Sequence, residues 1–229
     1  MKDLIRLDQV SKEYRDNGVP VLALDRVSLA IGQGEFAVVA GPSGSGKSTM
    51  LNLIGGLDLP SSGTVTVVDR DTARLSGSEL SRLRLDSIGF VFQAYNLIPV
   101  LTAYENAEYV LLLRGVPRLE RRERVLGLLK TVGLEGMENR FPRELSGGQQ
   151  QRVAIARAIA PEPRLVLADE PTANLDSKSS ADLLALMMRI NMDKNTTFLF
   201  STHDPEVIRL ARRVIRLRDG RIVSDGPEA

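Results

Sequence analysis

The stretch Phe36-Ala37-Val38-Val39-Ala40-Gly41-Pro42-Ser43-Gly44-Ser45-Gly46-Lys47-Ser48-Thr49-Met50-Leu51-Asn52-Leu53-Ile54 decides the fold. Its first five residues are apolar and uncharged, which predicts a buried strand. Its last five predict a helix, and between them a G-x-x-x-x-G-K-S pattern runs from Gly41 to Ser48. The chain therefore passes from strand to helix through a glycine-rich turn. Glycines let the backbone curl so that successive N–H groups point inward. The helix N-terminus adds unpaired donors and a partial positive charge. Such a turn suits a phosphate chain: Lys47 can reach the β- and γ-phosphates, and the Ser48 hydroxyl can ligate Mg²⁺. The bland alternative is a Gly/Ser loop with a chance lysine, and the strand–helix context argues against it.

Composition bounds the rest. The 229 residues suit one domain with an inserted subdomain, and 43% hydrophobic content supplies a full core. Net charge is +1 with both signs interspersed, unlike the basic stripe of a nucleic-acid binder. No cysteine is present, so disulfides and thiol catalysis are excluded, and a single histidine argues against a structural zinc. No apolar run reaches membrane-spanning length and the first residues carry no signal-peptide core, so a soluble cytoplasmic protein is expected. A membrane role would need a partner.

Upstream of the loop, Leu4 to Val10, Val21 to Leu24 and Val27 to Ile31 read as strands, with turns at Asp16-Asn17-Gly18 and Gly32-Gln33-Gly34. They predict an antiparallel β-layer. Tyr14 is either a strand tyrosine with a wet hydroxyl or a platform for an adenine ring. Downstream, Thr64 to Val68 is a strand and Ser76 to Asp86 a polar helix, with Glu79, Arg82 and Arg84 on a solvated face. Ile88 to Phe92 is a buried strand ending at Gln93. Ala94 to Leu101 carries no charge, and Pro99 argues against a helix until Thr102 opens a capping box with Glu105. That apolar run either packs inside or offers a binding surface. Helices follow to about Leu113 and over Leu119 to Val132, where Arg121, Arg122, Glu123 and Arg124 read as a solvated face. No strand appears between Gln93 and about Glu144, so an α-helical subdomain is inserted into an α/β core.

Two further constellations carry chemistry. Leu145-Ser146-Gly147-Gly148-Gln149 precedes a strong helix and is either a second anion-binding turn or a plain helix cap. Leu165 to Ala168 is a buried strand ending in Asp169-Glu170. Two carboxylates at such a strand end need a reason, because burying charge is costly. Near a phosphate loop, one acid can hold Mg²⁺ and the other can take a proton from attacking water. Asn174-Leu175-Asp176 leads into a helix over about Ser177 to Met192, whose methionines read as core filler. Thr197 to Ser201 is a strand ending at Thr202-His203, where α/β folds place ligands. Val214 to Val223 reads as a β-hairpin turning at Asp219-Gly220, and no regulatory domain is expected after it.

In this order the pieces resemble the ATP-binding cassette ATPases over nearly the whole chain. Residues 41–49 match the Walker A loop, Gln93 the Q-loop, and 145–149 the signature motif. Asp169 and Glu170 match Walker B with its catalytic glutamate, Asp176 closes the D-loop, and His203 matches the switch histidine. Tyr14 falls where the family has its adenine-stacking aromatic. The resemblance implies an α/β P-loop NTPase fold with a RecA-like core over 1–93 and 160–229 and a helical subdomain over about 94–159. It implies ATP and Mg²⁺ as cofactors. Gly41, Pro42, Ser43, Gly44, Ser45, Gly46, Lys47, Ser48 and Thr49 would hold the nucleotide, and Ser48, Gln93 and Asp169 the metal. Glu170, His203, Gln93 and Lys47 would be catalytic. It also implies an ATP-driven, head-to-tail homodimer in which Ser146, Gly147, Gly148 and Gln149 act on the partner's nucleotide.

A closer resemblance is to the ATPases of lipoprotein release, macrolide efflux and cell-division signalling, the LolD, MacB and FtsE type. It rests on Gly55-Gly56-Leu57-Asp58, the runs from Phe92 to Pro99 and from Leu101 to Asn106, and the run from Ala168 to Ser177, although Ala173 stands where that subfamily more often has glycine. It implies a peripheral subunit at the cytoplasmic face of the inner membrane, coupled to a MacB-, LolCE- or FtsX-like permease of the four-helix type. Leu97, Ile98 and Leu101 would then line a groove for a cytoplasmic helix of that permease, linked through Gln93 to the γ-phosphate. No permease segment is visible, so a stand-alone subunit is expected. The rivals are an importer ATPase for amino acids or other small solutes, a cassette acting on nucleic acid or ribosomes, and a phosphotransferase. The stretch after Gln93, the short helical insertion with its single cassette, and the signature motif argue against them in turn.

Overall fold

The computed structural model describes residues 3–16 and 19–227. The turn expected at Asp16-Asn17-Gly18 falls largely outside them. In chain order the elements are β1 (Asp3–Asp16), β2 (Val19–Gly32), β3 (Phe36–Ala40), α1 (Lys47–Ile54), β4 (Ser62–Val67), β5 (Arg70–Asp71), α2 (Gly77–Ser87) and β6 (Ile88–Val91). Then come α3 (Ala103–Leu113), α4 (Arg118–Thr131), α5 (Gly147–Ile159), β7 (Leu165–Asp169), α6 (Ser177–Lys194), β8 (Thr197–Thr202), α7 (Pro205–Leu210), β9 (Arg213–Arg218) and β10 (Arg221–Gly226). The chain divides into two compact units, Met1–Arg84 with Thr197–Ala229, and Leu85–Thr196.

The first unit contains an antiparallel layer in the order β2-β1-β4-β5 and a set of strands in the order β10-β9-β3-β8. β3 runs parallel to β8 and to β9, and all five of its residues are buried. A strand covered on both faces has no polar side to alternate with, which is why Phe36 to Ala40 reads as an unbroken apolar run. Phe36 packs against Phe200 with ring centroids 4.6 Å apart.

One expectation is corrected here. Val21 to Leu24 and Val27 to Ile31 are parts of a single strand, β2. The polar pair Asp25-Arg26 hides the continuity. It lies at an irregularity in the β1–β2 register, where Gln9 and Arg26 take positive φ of 49° and 47°. The donors displaced from the ladder are met by side chains: Arg26 N–H donates to Ser11 Oγ at 2.9 Å and Gln9 N–H to Ser28 Oγ at 3.0 Å.

In the second unit β6 and β7 form a parallel pair. Around them the helices bury Ala107 and Leu111 of α3, Val125 and Leu129 of α4, Val153 to Ala156 of α5, and Leu183, Leu184, Met187 and Ile190 of α6. α3 opens as the sequence indicates: Thr102 Oγ1 accepts from Glu105 N–H at 3.2 Å, and Glu105 Oε2 accepts from Thr102 N–H at 2.8 Å.

The charged faces are less solvated than patterning suggests. Arg121 is half-buried, paired with Glu108 at 2.9 Å and bonded to the Val116 carbonyl, and Arg124 reaches the Ala160 carbonyl. In the first unit Arg84 donates to the Gly56 carbonyl at 2.6 Å. Arginine stems cover apolar surface while the head finds carbonyls, which charge patterning alone does not reveal. Among the described residues no helix is long and apolar enough to cross a membrane.

Candidate functional site

The candidate residues divide between the units. Tyr14, residues 41–49 and His203 lie in the first; Gln93, residues 146–149, Asp169, Glu170 and Asp176 lie in the second.

In the first unit β3 delivers the chain into the glycine-rich turn. Gly46 caps α1 with φ 104°, and a Cβ there would lie 2.4 Å from the Ala23 carbonyl oxygen, so both conformation and space demand glycine. The turn is closed by Ser45 N–H donating to the Pro42 carbonyl and by Gly220 N–H donating to the Ser45 carbonyl. Lys47 is buried, and its ammonium donates to the carbonyls of Gly41 at 2.8 Å and Pro42 at 3.0 Å. A positive charge is thereby fixed inside a curl of backbone whose outer residues, Pro42, Ser43 and Gly44, are exposed. Ser48 is exposed at the first turn of α1. β3 and β8 pair Ala40 with Thr202, so Gly41 and His203 leave adjacent strands at the same end. The structure brings the histidine and the loop together.

Tyr14 is 38% exposed on β1. Its hydroxyl donates to Asp58 Oδ2 at 2.8 Å and also engages Thr49 of α1. Lys12 Nζ lies 4.9 Å from the Tyr14 ring centroid and 2.7 Å from Asp58 Oδ1. Burial pushes the Asp58 carboxyl up, but the hydrogen bonds from Lys12 and Tyr14 outweigh it and hold the group below the usual range. Burial, and then Asp58, push the Tyr14 phenol up. The ring is thus fixed at the foot of α1 with a cation on one face.

In the second unit β6 and β7 pair Val91 with Ala168, so Gln93 and the Asp169-Glu170 pair leave neighbouring strand ends on the same side. Glu170 takes φ 48°, a left-handed backbone that costs a non-glycine residue about 1–3 kcal/mol and persists where the surroundings enforce it. Here Ala173 N–H donates to the Glu170 carbonyl, and the buried Gln151 side chain donates to the Pro171 carbonyl at 2.7 Å. Asp176 caps α6, accepting from Ser179 N–H at 2.9 Å and Ser179 Oγ at 2.6 Å; these two bonds hold its carboxyl below the usual range. Ser146 caps α5: its Oγ accepts from Gln149 N–H at 3.3 Å, and Gln149 Oε1 accepts from Ser146 N–H at 2.9 Å. The cap reading of Ser146 is therefore realised, and Ser146 remains exposed at the end of a 13-residue helix.

The run after Gln93 is intermediate between its two readings. Leu97, Ile98 and Leu101 are half-buried, while Val100 is 75% exposed. Buried Asn106 holds the segment, accepting from Ile98 N–H at 2.8 Å and donating to the carbonyls of Ile98, Leu101 and Thr102. Sequence reading assigns no role to Asn106, Asp58, Asn174 or Arg157. Asn174 donates to the Gln93 carbonyl at 2.9 Å, and Arg157 to the Asn96 and Tyr95 carbonyls. Asp58, Asn106 and Asn174 stand in runs quoted for their resemblance, but no local pattern pairs them with these partners.

The ABC transporter family model matches residues 24–173. The chain belongs to the ABC transporter family. It is an ABC-type ATPase cassette, with the α/β fold of the P-loop NTPases. Macrolide export ATP-binding/permease protein MacB 1/2 of Paracoccus denitrificans is 46% identical over 222 residues, covering 97% of this chain and 33% of that protein. The chain thus spans about a third of the length of its macrolide-export relatives. The lipoprotein-releasing system ATP-binding protein LolD of Anaeromyxobacter dehalogenans is 48% identical over 224 residues, covering 97% of this chain and 94% of LolD. Among solved structures, an ATP-binding cassette of Methanocaldococcus jannaschii, described as a dimer in a post-hydrolysis state bound to ADP and Pi, superposes with a TM-score of 0.91. It is 45% identical, with 97% of this chain and 98% of that one covered. The macrolide-export and lipoprotein-release resemblance agrees with these names.

Proposed function

We propose that this cassette binds and hydrolyses ATP as a head-to-tail homodimer and drives a membrane permease of the macrolide-export or lipoprotein-release kind, sitting at the cytoplasmic face of the membrane through that permease. The carrying observation is that one chain presents two helix N-terminal turns suited to phosphate, 41–49 before α1 and 146–149 before α5. One turn alone leaves the γ-phosphate open on one side; a partner's second turn would cover it. Residues 1–93 and 160–229 form the nucleotide-binding core in this reading, and about 94–159 the helical subdomain.

The roles follow from the chemistry. Tyr14 stacks on adenine with the ring face that Lys12 leaves open. The backbone N–H groups of 41–49 cradle the phosphates, and Lys47 neutralises them. Ser48 and Asp169 offer the hard oxygen donors that Mg²⁺ prefers. Bound there, Mg²⁺ would stabilise charge on the phosphates. Glu170 takes the proton from the attacking water, His203 contacts the γ-phosphate, and Gln93 orients the water and reaches the metal. Asp176 shapes the turn facing the partner subunit.

Glu170→Gln tests the assignment. Positioned proton transfer contributes about 10²–10⁴-fold, so steady-state hydrolysis should fall by that factor while ATP binding persists and a stable dimer accumulates on gel filtration. Turnover within a few-fold of the parent would remove Glu170 as the base.

A further inference from the structure

Gln93 sits on a loop whose conformation is costly. Tyr95 and Asn96 both take left-handed backbone angles, φ 61° and 48°. Two successive non-glycine residues in that region persist only where neighbours enforce it. One side chain bonds both of their carbonyls. Arg157, in the last turn of α5, donates from Nη1 to the Asn96 carbonyl at 2.5 Å and from Nη2 to the Tyr95 carbonyl at 3.0 Å. A guanidinium offers its donors in a rigid planar fork, which fixes two adjacent carbonyls in one geometry more tightly than a flexible ammonium does. Arg157 is partly buried, and burial pulls its pKa down. Burying a charge is expensive, and the bonds Arg157 makes go to two neighbouring backbone carbonyls, which points to the geometry as what it supplies. The loop is held from the other side by Asn174 at the Gln93 carbonyl. At the opposite end of α5 the loop touches the helix again: a Cβ on Gly147 would lie 2.7 Å from the Tyr95 hydroxyl.

We propose that Arg157 is a positioning residue for Gln93, tying the glutamine loop to α5 so that any ligand-driven shift of residues 146–148 moves Gln93 with it. The proposal rests on the catalytic role given to Gln93 above. The competing structural account is that Arg157 only complements the C-terminal dipole of α5, a role that lysine would keep.

Arg157→Lys in the full chain separates the two. If Arg157 positions the loop, amide hydrogen exchange across residues 93–97 should quicken by about tenfold or more without loss of melting temperature. The kcat for ATP should fall about 10- to 100-fold with KM changed less than about twofold. In a Gln93→Ala chain the same change should cost less than about twofold further, because both act through one group. Asn174→Ala, which frees the loop without touching α5, should show the same pattern and serves if Arg157→Lys folds poorly. Unchanged exchange, or an equal loss of kcat in both backgrounds, overturns the proposal. Faster exchange with unchanged kcat overturns it as well, and if Gln93→Ala alone also leaves kcat unchanged, it is the catalytic role of Gln93 that has failed.

Discussion

At the residue scale the two charged side chains that matter most outside the motifs are Asp58 and Arg157, and the partner of neither is visible in sequence. Asp58 meets Tyr14 from 44 residues away, and Arg157 meets Tyr95 across 62. Local pattern carries no information about partners so distant. Asp58 has a consequence for pH. Its folded carboxyl is held below the ordinary 3.8 because the bonds from Lys12 and Tyr14 outweigh burial. The stabilisation is therefore complete above pH 3.8 and is lost as pH falls through the lower folded value. The difference in urea midpoint between the parent and Asp58→Asn should be largest at neutral pH and should shrink below pH 3.8; a difference that grew on acidification would contradict the arrangement.

At the element scale legibility follows from whether one signal or two define an element. β3, α1 and α3 were legible because an apolar period coincides with a turn or cap: the glycines before Lys47, the box from Thr102 to Glu105. β2 was not, because its bulge at Arg26 interrupts the alternation that marks a strand. α5 was legible in position but ambiguous in purpose, since a Ser-Gly-Gly start serves a cap and an anion site alike. The two purposes separate by substitution. Asp caps a helix as well as Ser does, but places negative charge where a phosphate would sit. Ser146→Asp should therefore leave stability within about 0.5 kcal/mol, by chemical denaturation, while abolishing ATP-dependent dimerisation. Ser146→Ala should do the reverse in part, losing about 1 kcal/mol from the missing cap. If Ser146→Asp still dimerises with ATP, the turn is a cap alone.

At the scale of the whole molecule, the order of the motifs along the chain made the family legible, while their meeting in space was not, because in the proposed head-to-tail dimer it belongs to two chains. The M. jannaschii cassette is described as a dimer, and the head-to-tail form proposed for this chain makes a combinatorial demand. Each nucleotide site takes its phosphate loop from one subunit and its Ser146 turn from the other. A subunit carrying Lys47→Ala, paired with one carrying Ser146→Arg, places both lesions in a single site. The second site then has the parent Lys47 of one chain and the parent Ser146 of the other. Homodimers of either variant have one lesion in every site. Differently tagged chains, mixed and purified through both tags, should retain one ATP per dimer through gel filtration. Either homodimer should retain none, because Lys47→Ala removes the charge that neutralises the phosphates and Ser146→Arg blocks the covering turn. If each site were built from one chain alone, the mixed dimer would carry one lesion in each site and retain no more ATP than the homodimers, and the head-to-tail arrangement would have to be given up.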